Sequence, residues 1–264
     1  MTKNHYGTFF FINIIITLFL NKKTKNTVKY LLKLWYNSMY KNKIYIFIFT
    51  KDFIMKKKDL ALEVIKRLEK EYPDADCTLD YNDAWKLLIS VRLAAQCTDE
   101  RVNKIVPALY EKYPTIEAVA DAPVEEIEKI VRPCGLGKSK ARDISLCMKM
   151  LKDEFDCKVP DNMKDLLKLP GVGRKSANLI MGDVFGEPAI VTDTHCIRLC
   201  NRIGLVNGIK EPKKVEMELW KIIPPEKGSD FCHRLVYHGR EVCTARTTPH
   251  CERCCLEDIC KKNI

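Results

Sequence analysis

The segment "LLKLPGVGRKSANLI", Leu166 to Ile180, contains a glycine–valine–glycine turn between two apolar, helix-forming runs. Gly171 and Gly173 allow the backbone to turn tightly where a side chain would clash. Arg174 and Lys175 follow directly, where the first amides of a new helix point outward beside a partial positive charge. The pattern predicts a helix-hairpin-helix that suits a DNA phosphate, although ordinary helix connections use the same residue types.

A phosphate-binding loop of the Walker type is excluded by the same residues. That loop has its lysine directly after the final glycine, and a strand precedes it. Here Arg174 separates Gly173 from Lys175, and the preceding "NMKDLLKL" is typical of a helix. Both the spacing and the context therefore argue against a nucleotide-binding loop.

A second segment of the same kind, "IVRPCGLGKSKARDI", lies at Ile130 to Ile144. Each segment consists of a helical run, a proline, a G-x-G turn, basic residues and another helical run. Helical periodicity extends through the chain from Met55, beginning with Leu60, Val64 and Leu68 on one apolar face. Because no convincing alternating strand pattern is present, we expect an all-α fold.

Residues 1–54 differ in composition from the remainder of the chain. They contain nine lysines and one acid, Asp52, whereas residues 55–264 carry 36 basic and 34 acidic residues. A DNA-binding surface in the folded part must therefore be local, despite the net charge of +10. The segment is rich in Phe, Ile, Asn, Lys and Tyr, whose codons are AT-rich. We interpret it as a doubtful extension, either translated upstream sequence with Met55 as the biological start or a basic tail.

The apolar run in this extension does not predict a membrane anchor. It runs from Phe9 to Leu20, which is shorter than the about 20 residues that a membrane span needs. The stretch "NKKTKN" follows it, where a signal peptide would have small residues at a cleavage site. We expect no membrane partner.

The cysteines are concentrated in the C-terminal part of the chain. All thirteen lie after residue 76, and five fall between Cys243 and Cys260. This crowding is typical of a metal site rather than a disulfide framework, and it favours a cytoplasmic location. Cys243, Cys251, Cys254 and Cys260 have the spacing C-x7-C-x2-C-x5-C. Four thiolates this close can ligate a [4Fe–4S] cluster or a tetrahedral zinc ion, and the spacing alone does not separate the two.

Asp193 lies eighteen residues after Lys175, in "VTDTHCIRLCNRIGL". The hairpin, the lysine, this carboxylate and the cysteine tail together make residues 56–260 resemble the endonuclease III family of DNA glycosylases. The resemblance implies that Lys175 is the nucleophile and Asp193 the catalytic carboxylate. Taken singly, Lys175 could be a phosphate contact and Asp193 a helix cap.

The chemistry of such a pair is consistent with the two residue types. A lysine attacks as the free amine, which burial and a helix N-terminus both favour. A nearby carboxylate can accept the amine's proton and stabilise the cationic sugar that forms as the base departs.

The resemblance also implies residues that contact and open the DNA. A base inside a duplex must be rotated out before its sugar can be attacked, and the gap needs filling. Gln96 in "LAAQCTD" and Leu136 in "CGLGKSK" match the family residues that fill it. The DNA-binding set is completed by the hairpin residues Gly171, Val172, Gly173 and Arg174.

For the cysteine tail, the resemblance implies that the four spaced cysteines ligate a [4Fe–4S] cluster. This sequence has one residue more than the usual family pattern between the first two ligands, within the turn-forming "TTPH". Cys255, adjacent to Cys254, is interpreted as a bystander.

The domain organisation follows from the same resemblance. We expect a six-helix bundle over residues 77–187 that contains the hairpin. A cluster domain would join residues 55–76 to residues 188–264.

The expected function is a bifunctional DNA glycosylase and abasic-site lyase. Its partner would be double-stranded DNA containing damaged pyrimidines or abasic sites, and its oligomeric state a monomer. One alternative is a monofunctional adenine-type glycosylase, which usually lacks the lysine. The other is a non-catalytic helix-hairpin-helix DNA-binding protein with a zinc tail.

Overall fold

The computed structural model describes residues 56–263. The predicted extension over residues 1–54, and Met55 as a start, lie outside the described residues. Between residues 56 and 263 every regular element is helical and there is no strand, so the all-α prediction is confirmed. None of the helices in this range is long and apolar enough to cross a bilayer.

The α-helices follow one another along the chain with short connections. They are α1 (Lys57–Glu71), α2 (Ala84–Leu93), α3 (Asp99–Lys112), α4 (Ile116–Asp121), α5 (Val124–Val131), α6 (Gly137–Glu154), α7 (Met163–Leu166), α8 (Arg174–Asp183), α9 (Thr194–Ile203), α10 (Pro212–Leu219) and α11 (Gly228–Glu241). Short 3₁₀ turns occupy Arg132–Cys134, Pro225–Lys227 and Cys251–Arg253.

The first hydrophobic core is built by α2 to α8, between residues 79 and 180. Leu87, Leu109 and Met148 are fully buried at its centre. Helix α2 is largely buried in this core; it ends at Leu93, and the chain continues as a turn to Gln96.

The second hydrophobic core joins α1 to the C-terminal part of the chain. Leu60, Val64 and Leu68 of α1 are buried in one cluster with residues of α9, α10 and α11, as the apolar face in the sequence predicts. Arg67 donates a hydrogen bond of 3.0 Å to the carbonyl of Cys255, which fixes the cysteine tail beside α1. The two cores fall on either side of the expected domain boundaries, and the division into domains stays a prediction.

Helix α8 lies between the two cores, because Leu179 packs against both and the helix contacts α2 and α11. At its C-terminal end, Ser229 and His233 of α11 each donate a hydrogen bond of 2.9 Å to Oδ1 of Asp183. The opposite end of α8 is the hairpin, so this helix connects the predicted active site to the second core.

Candidate active site and cysteine pocket

Lys175 is the second residue of α8, directly after the hairpin turn. Its side chain is exposed. Ala177, two residues later, is fully buried, so α8 turns one face to the core and Lys175 away from it. The helix N-terminus beside Lys175 supplies free amides that carry a partial positive charge.

Asp193 is half-buried and caps α9. Its Oδ1 accepts a hydrogen bond of 2.7 Å from the backbone N–H of Cys196. The cap interpretation of Asp193 is thus correct as a structural statement. The cap uses only one of the two carboxylate oxygens and holds the other at a fixed orientation, so it leaves room for a further role of Asp193.

His195, two residues after Asp193, was not singled out by the sequence. Burial lowers its pKa, and the charge of Asp193 opposes that effect. The charges of Arg198, Arg240 and Lys175 lower the pKa of this imidazole further. The charges of Lys175, in the first turn of α8, and of Asp193, at the start of α9, therefore both influence the pKa of one imidazole.

The position of His195 is fixed by a close helix contact. A Cβ added at Gly239 of α11 would lie 2.4 Å from its Nδ1 atom, so only glycine lets the two helices approach this closely. Arg198 adjoins the ring, with Nη2 3.3 Å from Nδ1 and donating to the carbonyl of Gly239 at 3.0 Å.

The two hairpin glycines differ in how far their surroundings require a glycine. Gly171 has φ +79°, and a Cβ there would lie 3.0 Å from Arg92 Cδ and 3.1 Å from Asp143 Cβ. Gly173 has φ −99°, and nothing lies within 4 Å of a Cβ built on it. The fold therefore requires a glycine at position 171 but leaves open space at position 173. Val172 between them is half-buried against the first core.

Arg174 forms a bidentate ion pair that the sequence did not reveal. Its Nε donates to Glu216 Oε2 at 2.6 Å and its Nη2 to Glu216 Oε1 at 2.7 Å. The Glu216 side chain is 1% exposed, and its hydrogen bonds raise the pKa of Arg174. The guanidinium is thus committed to a buried carboxylate of α10. Because the Glu216 ion pair occupies the side chain, the group of Arg174 left for the expected DNA contact is its backbone N–H at the start of α8.

Gln96 and Leu136 share an unusual backbone conformation. Their φ angles are +57° and +51°, in the left-handed region that non-glycine residues rarely adopt. Both side chains are exposed, and Leu136 is exposed to 56%. The structure thus gives the two residues the same strained and outward-facing state.

The four spaced cysteines line one pocket with an empty volume of about 430 Å³ that opens to solvent. The pocket contains Cys243, Cys251, Cys254 and Cys260, whereas Cys255 does not line it. A single zinc ion, with Zn–S bonds of about 2.3 Å, would hold all four sulfurs close to one point. Among residues 56–263 no group of three or more His, Cys, Asp or Glu side chains converges on a single ion.

Three of these sulfurs accept hydrogen bonds, as thiolate ligands commonly do. Arg202 Nη1 donates to Cys243 Sγ at 3.3 Å, and the backbone N–H of Lys262 donates to Cys260 Sγ at 3.3 Å. The backbone N–H of Leu256 donates to Cys254 Sγ at 3.4 Å. The donor set and the pocket are compatible with a group that has several metal ions.

Sequence reasoning missed partners that lie far along the chain. Glu216 is a glutamate on an amphipathic helix, and no local pattern distinguishes it from a surface residue. His195 did have a signal, since it follows Asp193 in "DTHC" at the start of a helix.

Comparison with known proteins gives a family match and close relatives. The HhH-GPD superfamily base excision DNA repair protein family matches residues 89–225. Endonuclease III of Synechocystis sp. is 43% identical over 205 residues, which are 77% of this chain and 93% of the relative. Endonuclease III of Escherichia coli K12 is 38% identical over 200 residues, which are 76% and 94% of the two chains.

Solved structures show the same likeness. A trapped endonuclease III–DNA covalent intermediate, in its estranged-adenine complex, has a TM-score of 0.75 and 40% identity, covering 79% of this chain and 97% of that one. A thermostable thymine-DNA glycosylase has a TM-score of 0.70 and 25% identity, covering 78% and 96%.

Proposed function

The chain belongs to the HhH-GPD superfamily of base excision DNA repair proteins and, within it, to the endonuclease III family, and from this membership we propose a bifunctional DNA glycosylase and abasic-site lyase. Its substrate would be double-stranded DNA that contains oxidised pyrimidines or abasic sites. The observation that carries the proposal is the position of Lys175, an exposed residue in the first turn of α8 directly after the hairpin, in a chain 43% identical to an endonuclease III.

In this reaction the Lys175 amine attacks C1′ of the flipped nucleotide. A C–N bond forms, and the bond to the base breaks with its electron pair leaving on the base. Asp193 accepts the proton of the attacking amine and stabilises the cationic sugar. The sugar ring then opens: the C1′–O4′ bond breaks, O4′ takes up a proton, and the nitrogen's electron pair completes the C=N bond of a protonated Schiff base. This Schiff base acidifies the neighbouring C2′ proton, so that β-elimination expels the 3′ phosphate and breaks the strand.

The hairpin would hold the DNA backbone through main-chain groups. The open space at Gly173 allows a phosphate to approach the first amides of α8, including that of Arg174. Gly171 and Val172 shape the turn that presents these amides. The exposed Gln96 and Leu136 would enter the duplex as the damaged nucleotide rotates out.

For the cysteine pocket we propose a [4Fe–4S] cluster held by Cys243, Cys251, Cys254 and Cys260. When bound, such a cluster supplies a covalent cross-link between the chain end and the pocket, and its role in the proposed reaction is structural. The residues present fit the group because all four cysteines line one pocket and three of their sulfurs accept N–H hydrogen bonds. Cys255 stays outside the ligand set.

The remaining expectations complete the proposal. We propose two domains, residues 77–187 and residues 55–76 with 188–264, whose separate cores support the division. We also propose a monomer in the cytoplasm, which is consistent with the free thiols of all thirteen cysteines, each of which lies within residues 56–263.

Borohydride trapping tests the lysine chemistry. Protein that begins at Met55 is mixed with duplex DNA carrying a thymine glycol and reduced with borohydride, beside Lys175→Ala and Lys149→Ala. We expect a covalent protein–DNA band with the parent and with Lys149→Ala, whose site is an exposed position on α6, and none with Lys175→Ala.

Other outcomes would redirect the proposal. A parent that removes bases without a trapped band would be a glycosylase that uses water. A parent that binds DNA without removing any base would be a binding module, and zinc rather than iron in the purified protein would reject the cluster.

A further inference from the structure

Lys140 is a fully buried lysine in α6, three residues after Gly137. Its Nζ donates hydrogen bonds of 2.8 Å to the carbonyl of Leu93 and 2.8 Å to the carbonyl of Cys134. Among residues 56–263 it has no carboxylate partner, and burial lowers its pKa. Burying an ammonium that only carbonyls bind costs free energy. The positions of those two carbonyls therefore indicate the role of Lys140.

Those two carbonyls belong to two loops that each contain an exposed left-handed residue, Gln96 in one and Leu136 in the other. Leu93 ends α2, and Gln96 follows three residues later. Cys134 ends the 3₁₀ turn, and Leu136 follows two residues later. Lys140 is thus a common donor to two loops that are far apart in the sequence.

The strain in these loops requires such an anchor. A non-glycine residue in the left-handed region relaxes unless its surroundings hold it there. Gln96 and Leu136 are exposed, so their own side chains provide no core contacts to hold them. The buried ammonium holds both loops, since each of its two hydrogen bonds fixes a carbonyl two or three residues before the left-handed residue.

We propose that Lys140 is a positioning residue that locks the Gln96 loop and the Leu136 loop together, so that both side chains enter the duplex as one wedge. The inference rests on the proposed function and deepens it. Lys140 does not contact DNA, because its side chain is buried, in contrast to the exposed Lys138 two residues earlier. It acts through the loops that do.

If Lys140 positions the two loops, the loss of activity on its replacement depends on the substrate. If it contributes only to folding, the loss is the same for all substrates. A thymine glycol in paired duplex has to be extruded, whereas an abasic site in single-stranded DNA needs no opening. We expect Lys140→Met to slow strand cleavage of the duplex about 30-fold, below the about 100-fold that a misplacement of about 1 Å can cost. Cleavage of the single-stranded abasic site should fall less than about threefold.

Two control variants on α6 separate positioning from general effects. Lys149→Met removes an exposed lysine from the same helix and should behave as the parent on both substrates. Met148→Ala empties a fully buried position in the first core and should lower the melting temperature without a preference between the substrates. Lys140→Gln, whose amide can still donate to a carbonyl, should recover part of the duplex activity and serves where Lys140→Met does not fold.

A fluorescence measurement reads the wedge directly. With 2-aminopurine placed opposite the damaged base, the parent should raise the fluorescence on binding as the base unstacks, and Lys140→Met should not. An active parent combined with equal losses on the two substrates, or with an unchanged fluorescence rise in Lys140→Met, would overturn this inference alone. A parent that cleaves neither DNA would overturn the proposed function and this inference with it.

Discussion

In the hairpin at residues 130–144, the first in chain order, the residue between the glycines, Leu136, is 56% exposed. Its counterpart Val172 in the second hairpin, at residues 166–180, is half-buried against the first core. The first hairpin therefore presents an apolar side chain to solvent. The second turns its side chain inward and presents the backbone amides of α8 beside the open space at Gly173. One sequence pattern thus yields two surfaces, one suited to a base stack and one to a phosphate.

The anchorage of the two hairpins differs in the same way. Lys140 anchors the first within its own core through backbone carbonyls. The second is tied to the other core by ion pairs at both ends of α8, Arg174 to Glu216 and Asp183 to His233. The comparison teaches that partners outside the G-x-G motif determine what the motif presents.

The largest effect should come from the residues that directly follow the hairpins. Arg174→Met would leave the buried Glu216 carboxylate unpaired and lower the free energy of unfolding by about 2–3 kcal/mol. The equivalent Lys138→Met in the first hairpin should change it by less than about 0.5 kcal/mol, because that lysine is exposed. Urea unfolding of both variants provides the measurement, and equal losses would break the comparison.

The second glycines of the two hairpins give the next effect. Gly137→Thr should lower the free energy of unfolding by about 1–3 kcal/mol, since its Cβ would lie 3.0 Å from Arg132 Cα. Gly173→Thr meets open space and should fold as the parent, but its side chain would obstruct a phosphate and weaken binding to abasic duplex about tenfold. Thermal unfolding and fluorescence anisotropy distinguish the two. Tight DNA binding by Gly173→Thr would remove the assignment of the second hairpin to phosphate contact.

The residues at the hairpin tips should separate function from stability. Leu136→Ala should lower the cleavage rate on damaged duplex about fivefold with little change in stability, because its side chain is exposed. Val172→Ala should cost about 1 kcal/mol of stability and affect cleavage less. Single-turnover kinetics and denaturation measure the cleavage rate and the stability of both variants. A larger rate loss in Val172→Ala than in Leu136→Ala would contradict these roles.

The smallest effect concerns the far end of α8. Burial alone would lower the pKa of His233, but the Asp183 carboxylate at 2.9 Å raises it above the ordinary 6.5. The protonated pair therefore stabilises the folded state fully below pH 6.5, and this contribution is lost as the pH rises through the raised value. We expect the free energy of unfolding to fall by less than about 1 kcal/mol over that window. The pH dependence should disappear in His233→Gln, and its persistence there would assign it to another group.

The sequence predicted those features that depend on local patterns. The helical class, the apolar face of α1, the two glycine turns and the common pocket of the four spaced cysteines each follow from residues a few positions apart. The assignment of Lys175 and Asp193 stays a prediction, as do the cluster and the domain boundaries. The exposure of Lys175 was not predicted, because no local pattern states which side of a helix start faces solvent.

The remaining features depend on residues that only the fold brings together. Glu216 lies 42 positions from Arg174, and His233 lies 50 positions from Asp183. Lys140 was indistinguishable in the sequence from its exposed neighbour Lys138, since both follow the same glycine turn. The packing of α6 on α2 determines that Lys140 is buried and Lys138 is not. Helical periodicity alone does not show which of the two faces the core.

The packing of α1 against the C-terminal helices has a consequence for synthesis of the protein. The first core needs only residues 79–180, so it can close while translation continues. The apolar face of α1 is made earlier, yet its partners extend to Leu256. At roughly 5–20 residues per second, about 10–40 s separate the emergence of α1 from that of its last partner. During this interval the nascent chain holds a finished core and an unpartnered amphipathic helix, so its folding ends only when the cysteine tail has left the ribosome.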